Sequence, residues 1–189
     1  MYQTNRYLKI RKLLPLIAYL LWLNLSKPVT QISTSSDYQP PPSMILTAVG
    51  DLVMHMPVVN SAFCPTGNTY DFRSIFSEIR ENLSTADYTV GVLETSLTGE
   101  ASKYSGYPRF NTPYQIADAL QWAGFDLVFT AHNHSLDQGV NGIKNTLSYL
   151  ESINLPSTGS RSRHEQKPYY ITEINGIKLA FFSYTTITN

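Results

Sequence analysis

Cysteine is almost absent: Cys64 is the one thiol in 189 residues, which excludes an intrachain disulfide framework and any metal site built from several thiolates. Charge is sparse too, with 14 basic and 14 acidic side chains making up 15% of the chain. Set beside a 42% hydrophobic content, that balance excludes a disordered polyelectrolyte and a nucleic-acid-coating protein. No apolar run reaches the roughly 20 residues that a full membrane span needs. The longest, residues 13–25 (LLPLIAYLLWLNL), falls short of it. No repeat of solenoid period recurs. The length is that of one folded domain.

The neutral total conceals an asymmetry. Arg6, Lys9, Arg11, Lys12 and Lys27 are opposed only by Asp37 in residues 1–43, so the body that follows is about four charges negative and has no general attraction for polyanions. The basic stretch, the short apolar core and the Ser26-Lys27-Pro28 that follows predict a signal peptide or membrane anchor over residues 1–25. No small-x-small cleavage site follows, which favours an anchor. The positive flank then places the folded part on the extracytoplasmic face of the cell membrane, or in the medium if the segment is cleaved.

Residues 26–43 are polar and β-branched and end in Pro40-Pro41-Pro42, a composition suited to a tether stiffening toward polyproline II. The folded domain is expected over residues 44–189. Within it MILTAVG (44–50), YTVGVL (88–93) and FDLVFTA (125–131) are short apolar runs of the kind that form buried strands. Phe72, Ile75, Phe76, Ile79 and Leu83 recur at helical spacing behind Asp71 as N-cap. Thr112 and Pro113 predict the start of another helix, carrying Ile116, Ala117 and Leu120 and stopping at Gly124. Ile143, Thr146, Leu147 and Leu150 mark the next. Residues 169–174 and 177–184 flank Asn175-Gly176, a strong hairpin signal. Strands alternating with helices imply a largely parallel α/β sheet with an antiparallel hairpin appended. The chain stops at Asn189 just after an apolar strand, which suggests the N-terminal part of a longer domain, incomplete at its C-terminus.

In an open α/β sheet, ligands gather beyond the carboxyl ends of the strands. The first strand is followed there by Asp51 and His55, the second by Glu94, and the third by His132, Asn133, His134 and Asp137. Carboxylate, amide and imidazole groups with no thiolate suit a hard or borderline divalent ion such as Mn, Zn, Fe or Mg. Taken singly, Asp51 also fits an Asx turn, Glu94 a solvated strand end, and Asn133 and Asp137 helix caps. Their succession after three strands points to a shared site.

GD at 50–51, LET at 93–95, FNTP at 110–113, AGFDLVFTAHNHSLDQGVNGIKNTLSYL at 123–150 and NGIKLAFFSYT at 175–185 together resemble the capsule-synthesis CapA family. Its members are also called PgsA-type poly-γ-glutamate synthesis proteins, and they are similar to calcineurin-like metallophosphoesterases. The resemblance implies a metallophosphoesterase-like layered sandwich. In it Asp51 corresponds to the first metal-binding aspartate, Glu94 to a bridging acid, Asn133 to a metal ligand, and His134 to a proton donor or transition-state stabiliser. Phosphoesterases of that kind usually carry a histidine two residues after the first aspartate; here Val53 stands there, and His55 is the nearest candidate ligand.

Asp137 either caps the following helix or orients His134 through a carboxylate–imidazole bond. His132 is open between a ligand and a structural role. Arg109, in the Gly-, Ser- and Tyr-rich loop 95–112, is the candidate for gripping a substrate carboxylate or phosphate with its planar fork. His164, Arg161, Arg163 and Lys167 form a basic run with the character of a wet surface. The resemblance implies a role in making or exporting an anionic capsular polymer or its precursor, with other capsule-synthesis membrane proteins as partners, either as a metal-dependent hydrolase or transferase or as a non-catalytic assembly component. An inactive fragment of a longer protein is the third expectation.

Overall fold

The computed structural model describes residues 39–189 apart from Glu165. The anchor expected over residues 1–25 and most of the 26–43 tether lie outside the described residues. All described secondary structure belongs to the compact unit Pro41–Asn189.

That unit runs β1 (Leu46–Leu52), α1 (Met56–Ser61), β2 (Phe63–Cys64), β3 (Thr69–Tyr70), α2 (Arg80–Ser84), β4 (Tyr88–Leu93), α3 (Gln115–Ala123), β5 (Leu127–Phe129), α4 (Gly139–Ser152), β6 (Ser157–Thr158), β7 (Tyr169–Ile174) and β8 (Ile177–Phe182). Strands β1, β4, β5 and β6 pair in that order into one parallel sheet. Strands β7 and β8 form a separate antiparallel hairpin in full register from Tyr169–Phe182 to Ile174–Ile177. The turn between them is made by Asn175 (φ 50) and Gly176 (φ 78), as the Asn-Gly pair predicts.

The result is layered. One face of the sheet, through Leu93 and Val128, packs on Ile116, Ala117, Leu120 and Ala123 of α3 and on Leu150 of α4. Leu120 is wholly buried, and burying a side chain of that size contributes about 1.5–3 kcal/mol. The other face, through Tyr88, Val90 and Leu127, packs on Tyr170, Ile174 and Phe181 of the hairpin. Gly91 lets β4 take its place: a Cβ there would lie 2.6 Å from the Phe125 ring. This is the metallophosphoesterase-like α/β sandwich that the sequence implies. Among the described residues no helix is long and apolar enough to cross a membrane.

Two local expectations are corrected. The helix predicted over 72–83 is broken into a 3-10 turn at Arg73–Ile75 and the short α2. Asp71 does not cap a long helix: its carboxylate accepts the Arg73 backbone N–H at 2.9 Å and pairs with the Arg73 guanidinium at 2.6 Å, closing a local turn. That pairing holds its acid well down, to about 2. The Thr112 hydroxyl does not cap α3 either but bonds the Thr95 hydroxyl at 2.8 Å, so the helix begins later, at Gln115.

Candidate functional site

The site begins with an irregularity in β1. Val49 pairs with Gly91, yet the next partner of Val92 is Asp51, so Gly50 is an extra residue bulged out of the ladder. Paired strand residues share a face, and faces alternate along a strand. Without the bulge Asp51 would lie level with Leu93, on the helix-packed face. With it, Asp51 lies level with Val92, on the face that Glu94 continues two residues later. Two acids from neighbouring strands are thereby set side by side. The carboxyl of Glu94, 8% exposed, is pushed up by burial first and then by the negative charge of Asp51 and a hydrogen bond with it. His134 opposes that rise and Asp137 adds to it, so all four groups share one electrostatic neighbourhood.

The third contribution comes after β5, where the chain turns through a 3-10 segment at Asn133–Leu136. Asn133 is half-buried at its first position. His134 is buried, and its Nδ1 lies 2.8 Å from Asp137 Oδ2. The same carboxylate oxygen accepts the Phe110 backbone N–H at 2.6 Å. Asp137 therefore orients the imidazole and does not cap α4, whose N-cap is Gln138. A carboxylate only accepts, so Nδ1 carries the proton and Nε2 of the neutral ring keeps its lone pair. The Asn189 side-chain amide also lies 2.9 Å from Nδ1, and the Asn189 backbone N–H donates to the Asn133 carbonyl at 2.9 Å. With Nδ1 donating to Asp137, the Asn189 amide must turn its oxygen toward the ring.

Phe110 ties in the remaining candidates. Its ring meets His134 at 4.6 Å and His55 at 5.2 Å, both in T-shaped contacts. His55 is thus joined to the site through Phe110, while its own position is the exposed N-cap of α1. Arg109, one residue earlier, donates from Nε to the Asp137 carbonyl at 3.1 Å, which holds its exposed guanidinium beside the same loop. His132 is buried and is drawn down to about 4 by loss of solvent first and then by His134. Its Nδ1 has no partner among the described residues.

The arrangement brings Asp51, Glu94, His134 and Asp137 into one neighbourhood at the carboxyl ends of β1, β4 and β5, with Asn133 beside His134 in the chain. The role of Phe110 is not readable from sequence, because an apolar residue that bridges two imidazoles looks like any core aromatic. The sole cue was its place in the FNTP run. Two neighbouring carboxylates and an amide oxygen make a donor set that fits a hard or borderline cation. No three His, Cys, Asp or Glu side chains among the described residues already form a cation cluster.

Comparison with known proteins agrees with this architecture. Residues 45–189 match the family described as "Bacterial capsule synthesis protein PGA_cap". Over 189 residues the chain is 25% identical to the capsule biosynthesis protein CapA of Bacillus anthracis, covering 95% of this chain and 43% of that protein. It is 27% identical over 120 residues to the PGA biosynthesis protein CapA of Bacillus subtilis strain 168, covering 61% of this chain and 31% of that protein. An uncharacterized protein of Sinorhizobium fredii, y4sH, is 30% identical over 149 residues, covering 75% of this chain and 30% of that protein. The chain thus spans less than half the length of each of these relatives. A match over nearly the whole of the described fold makes the chain a member of the bacterial capsule synthesis protein family PGA_cap.

Proposed function

We propose that the chain works at the extracytoplasmic face of the cell membrane in making or exporting an anionic capsular polymer. In this reading Asp51, Glu94 and Asn133, with His55 as the nearest further candidate, would hold a divalent ion at the carboxyl ends of the strands, and the chemistry is hydrolysis or transfer at a phosphate or amide linkage. The observation that carries it is the Gly50 bulge, which sets Asp51 beside Glu94 at a place where their mutual repulsion calls for a cation. When bound, such an ion supplies Lewis acidity and an acidified water. The residues of the chain do the rest. Asp137 fixes the His134 ring, so that the Nε2 nitrogen is the one that takes up or delivers a proton. Arg109 is held beside that ring for an oxyanion of the substrate.

Titration of the purified chain with Mn²⁺, followed by calorimetry, tests this. One ion per chain, lost in the Asp51→Ala/Asn133→Ala double variant, is the expected result. A second reading, a non-catalytic assembly component that keeps the old strand-end residues as scaffold, is favoured by the lack of a ready-formed ligand cluster among the described residues. It predicts no stoichiometric ion, together with capsule formation that survives the double variant.

A further inference from the structure

The basic run is solvent-facing as expected, and its Arg161, Arg163 and Lys167 also line one wall of a cleft of about 730 Å³, whose opposite wall is the C-terminal half of α4. Lys144, Arg161, Arg163 and Lys167 all line it, against Glu151 as the one acid among the described lining residues. In a body that carries net negative charge, this is a local reversal of sign. None of the four cations is in an ion pair among the described residues.

The wall is ordered before any ligand arrives. The Gln166 side-chain oxygen accepts the backbone N–H of Ser162 at 2.8 Å and of Arg163 at 3.1 Å, and Arg161 donates to the Gln166 carbonyl at 3.3 Å. Upstream, Gly159 sits at φ +120, where a Cβ would stand 2.6 Å from the Ala131 nitrogen, so the loop is pinned to the end of β5. Ser160 completes the pin: its backbone N–H and hydroxyl bond the Thr130 hydroxyl and carbonyl at 3.0 and 2.7 Å. Thr158 also lines the cleft; it is 4% exposed and its hydroxyl has no partner among the described residues. An ordered wall lowers the entropy lost when a ligand binds.

The size and the spread of charge choose among anions. A volume of this order takes a ligand of several units and far exceeds one phosphate. The cations come from α4, from the loop and from the entry to β7, so they line a path and do not converge on a point. Ser160 and Leu147 line both this cleft and the small cavity beneath Thr95, Ser96 and His132, so the path leads toward the strand-end site.

We propose that this cleft binds a linear oligocarboxylate, several units of an acidic polymer laid between α4 and the 159–167 loop. The choice of a polymer rests on the capsular reading above; the cleft itself rests on its own geometry. The test is fluorescence anisotropy of a short labelled γ-linked glutamate oligomer with the full 189-residue chain. The Arg161→Gln/Arg163→Gln variant is expected to bind at least about tenfold more weakly, the loss of one charge-assisted hydrogen bond already being of that order, and with a flatter salt dependence. Lys178→Gln, an exposed cation on the hairpin, leaves the affinity unchanged. Equal losses in both variants, or none in either, overturn the proposal. So does binding of labelled tripolyphosphate with no binding of the oligomer, which would make the cleft a phosphate site. Asp51→Ala/Asn133→Ala separates the two readings: oligomer binding intact with no Mn²⁺ bound by the native chain defeats the strand-end site alone, and Mn²⁺ binding without oligomer binding defeats the cleft alone.

Discussion

Replacing Thr146 by valine keeps the shape of a side chain that is 6% exposed and removes one oxygen. That oxygen accepts the Leu97 backbone N–H at 2.8 Å and donates to the Gly142 carbonyl, also at 2.8 Å. Leu97 is wholly buried, three residues beyond Glu94, where β4 has ended and the chain crosses onto α4. With valine present, the Leu97 N–H is left in the core without an acceptor, which costs about 1–3 kcal/mol. The Gly142 carbonyl sits within a helix and loses little. For a domain of this size the expected fall in melting temperature is about 2–12 °C. Thr146→Ser keeps the acceptor and loses a methyl group, costing about 1 kcal/mol, so it should melt between the native chain and the valine variant. Thermal melts give the order, and hydrogen exchange at the Leu97 amide gives the cause. A valine variant as stable as the native chain, with that amide still protected, would refute the idea that a single hydroxyl joins the strand end to α4.

Asp137→Asn keeps the acceptor for either Phe110 or Nδ1 of His134 but not the charge that fixes the ring; imidazole nitrogen shifts should report a mixture of His134 tautomers, and the hydrolysis or transfer proposed above should fall at least tenfold. An unchanged tautomer would show that Asp137 serves only the backbone. Gly91→Ala drives a methyl group to 2.6 Å from the Phe125 ring and 3.2 Å from Leu52; a loss of about 1–3 kcal/mol in denaturant unfolding is expected, and a neutral result would mean that the Phe125 ring turns aside freely.

Much of the frame was legible because the signals were periodic and local. The apolar runs opening at Leu46, Tyr88 and Leu127 became parallel strands, and Asn175-Gly176 turned the hairpin. What escaped was short or long-range. Strands β2, β3 and β6 have two residues each, too few for alternation to register. The helix expected across Ile75 and Ile79 failed because those side chains, 40% and 45% exposed, have no core to face, and Asp71 closes a competing turn with Arg73. At the site, the residue types and their strand-end positions could be read directly. The role of Asp137 could not be chosen, since an acid three residues after a histidine suits a cap as well as an orienting partner. The basic run around Arg161 is solvent-facing as its composition implies, but nothing local to it reveals the α4 wall across the cleft.

The extra residue at Gly50 means that the strand-end rim depends on which residues join the ladder as much as on composition. Were Gly50 taken into a regular ladder, every acid and imidazole would remain, yet Asp51 would be carried through the sheet to the side lined by Leu93 and α3, as a charge among aliphatic groups. Deleting the glycine instead closes the bulge and keeps Asp51 opposite Val92. A substitution at position 50 has room, since a Cβ there meets nothing within 4 Å. This position should therefore accept many side chains and even loss of the residue, but not a residue drawn into the ladder.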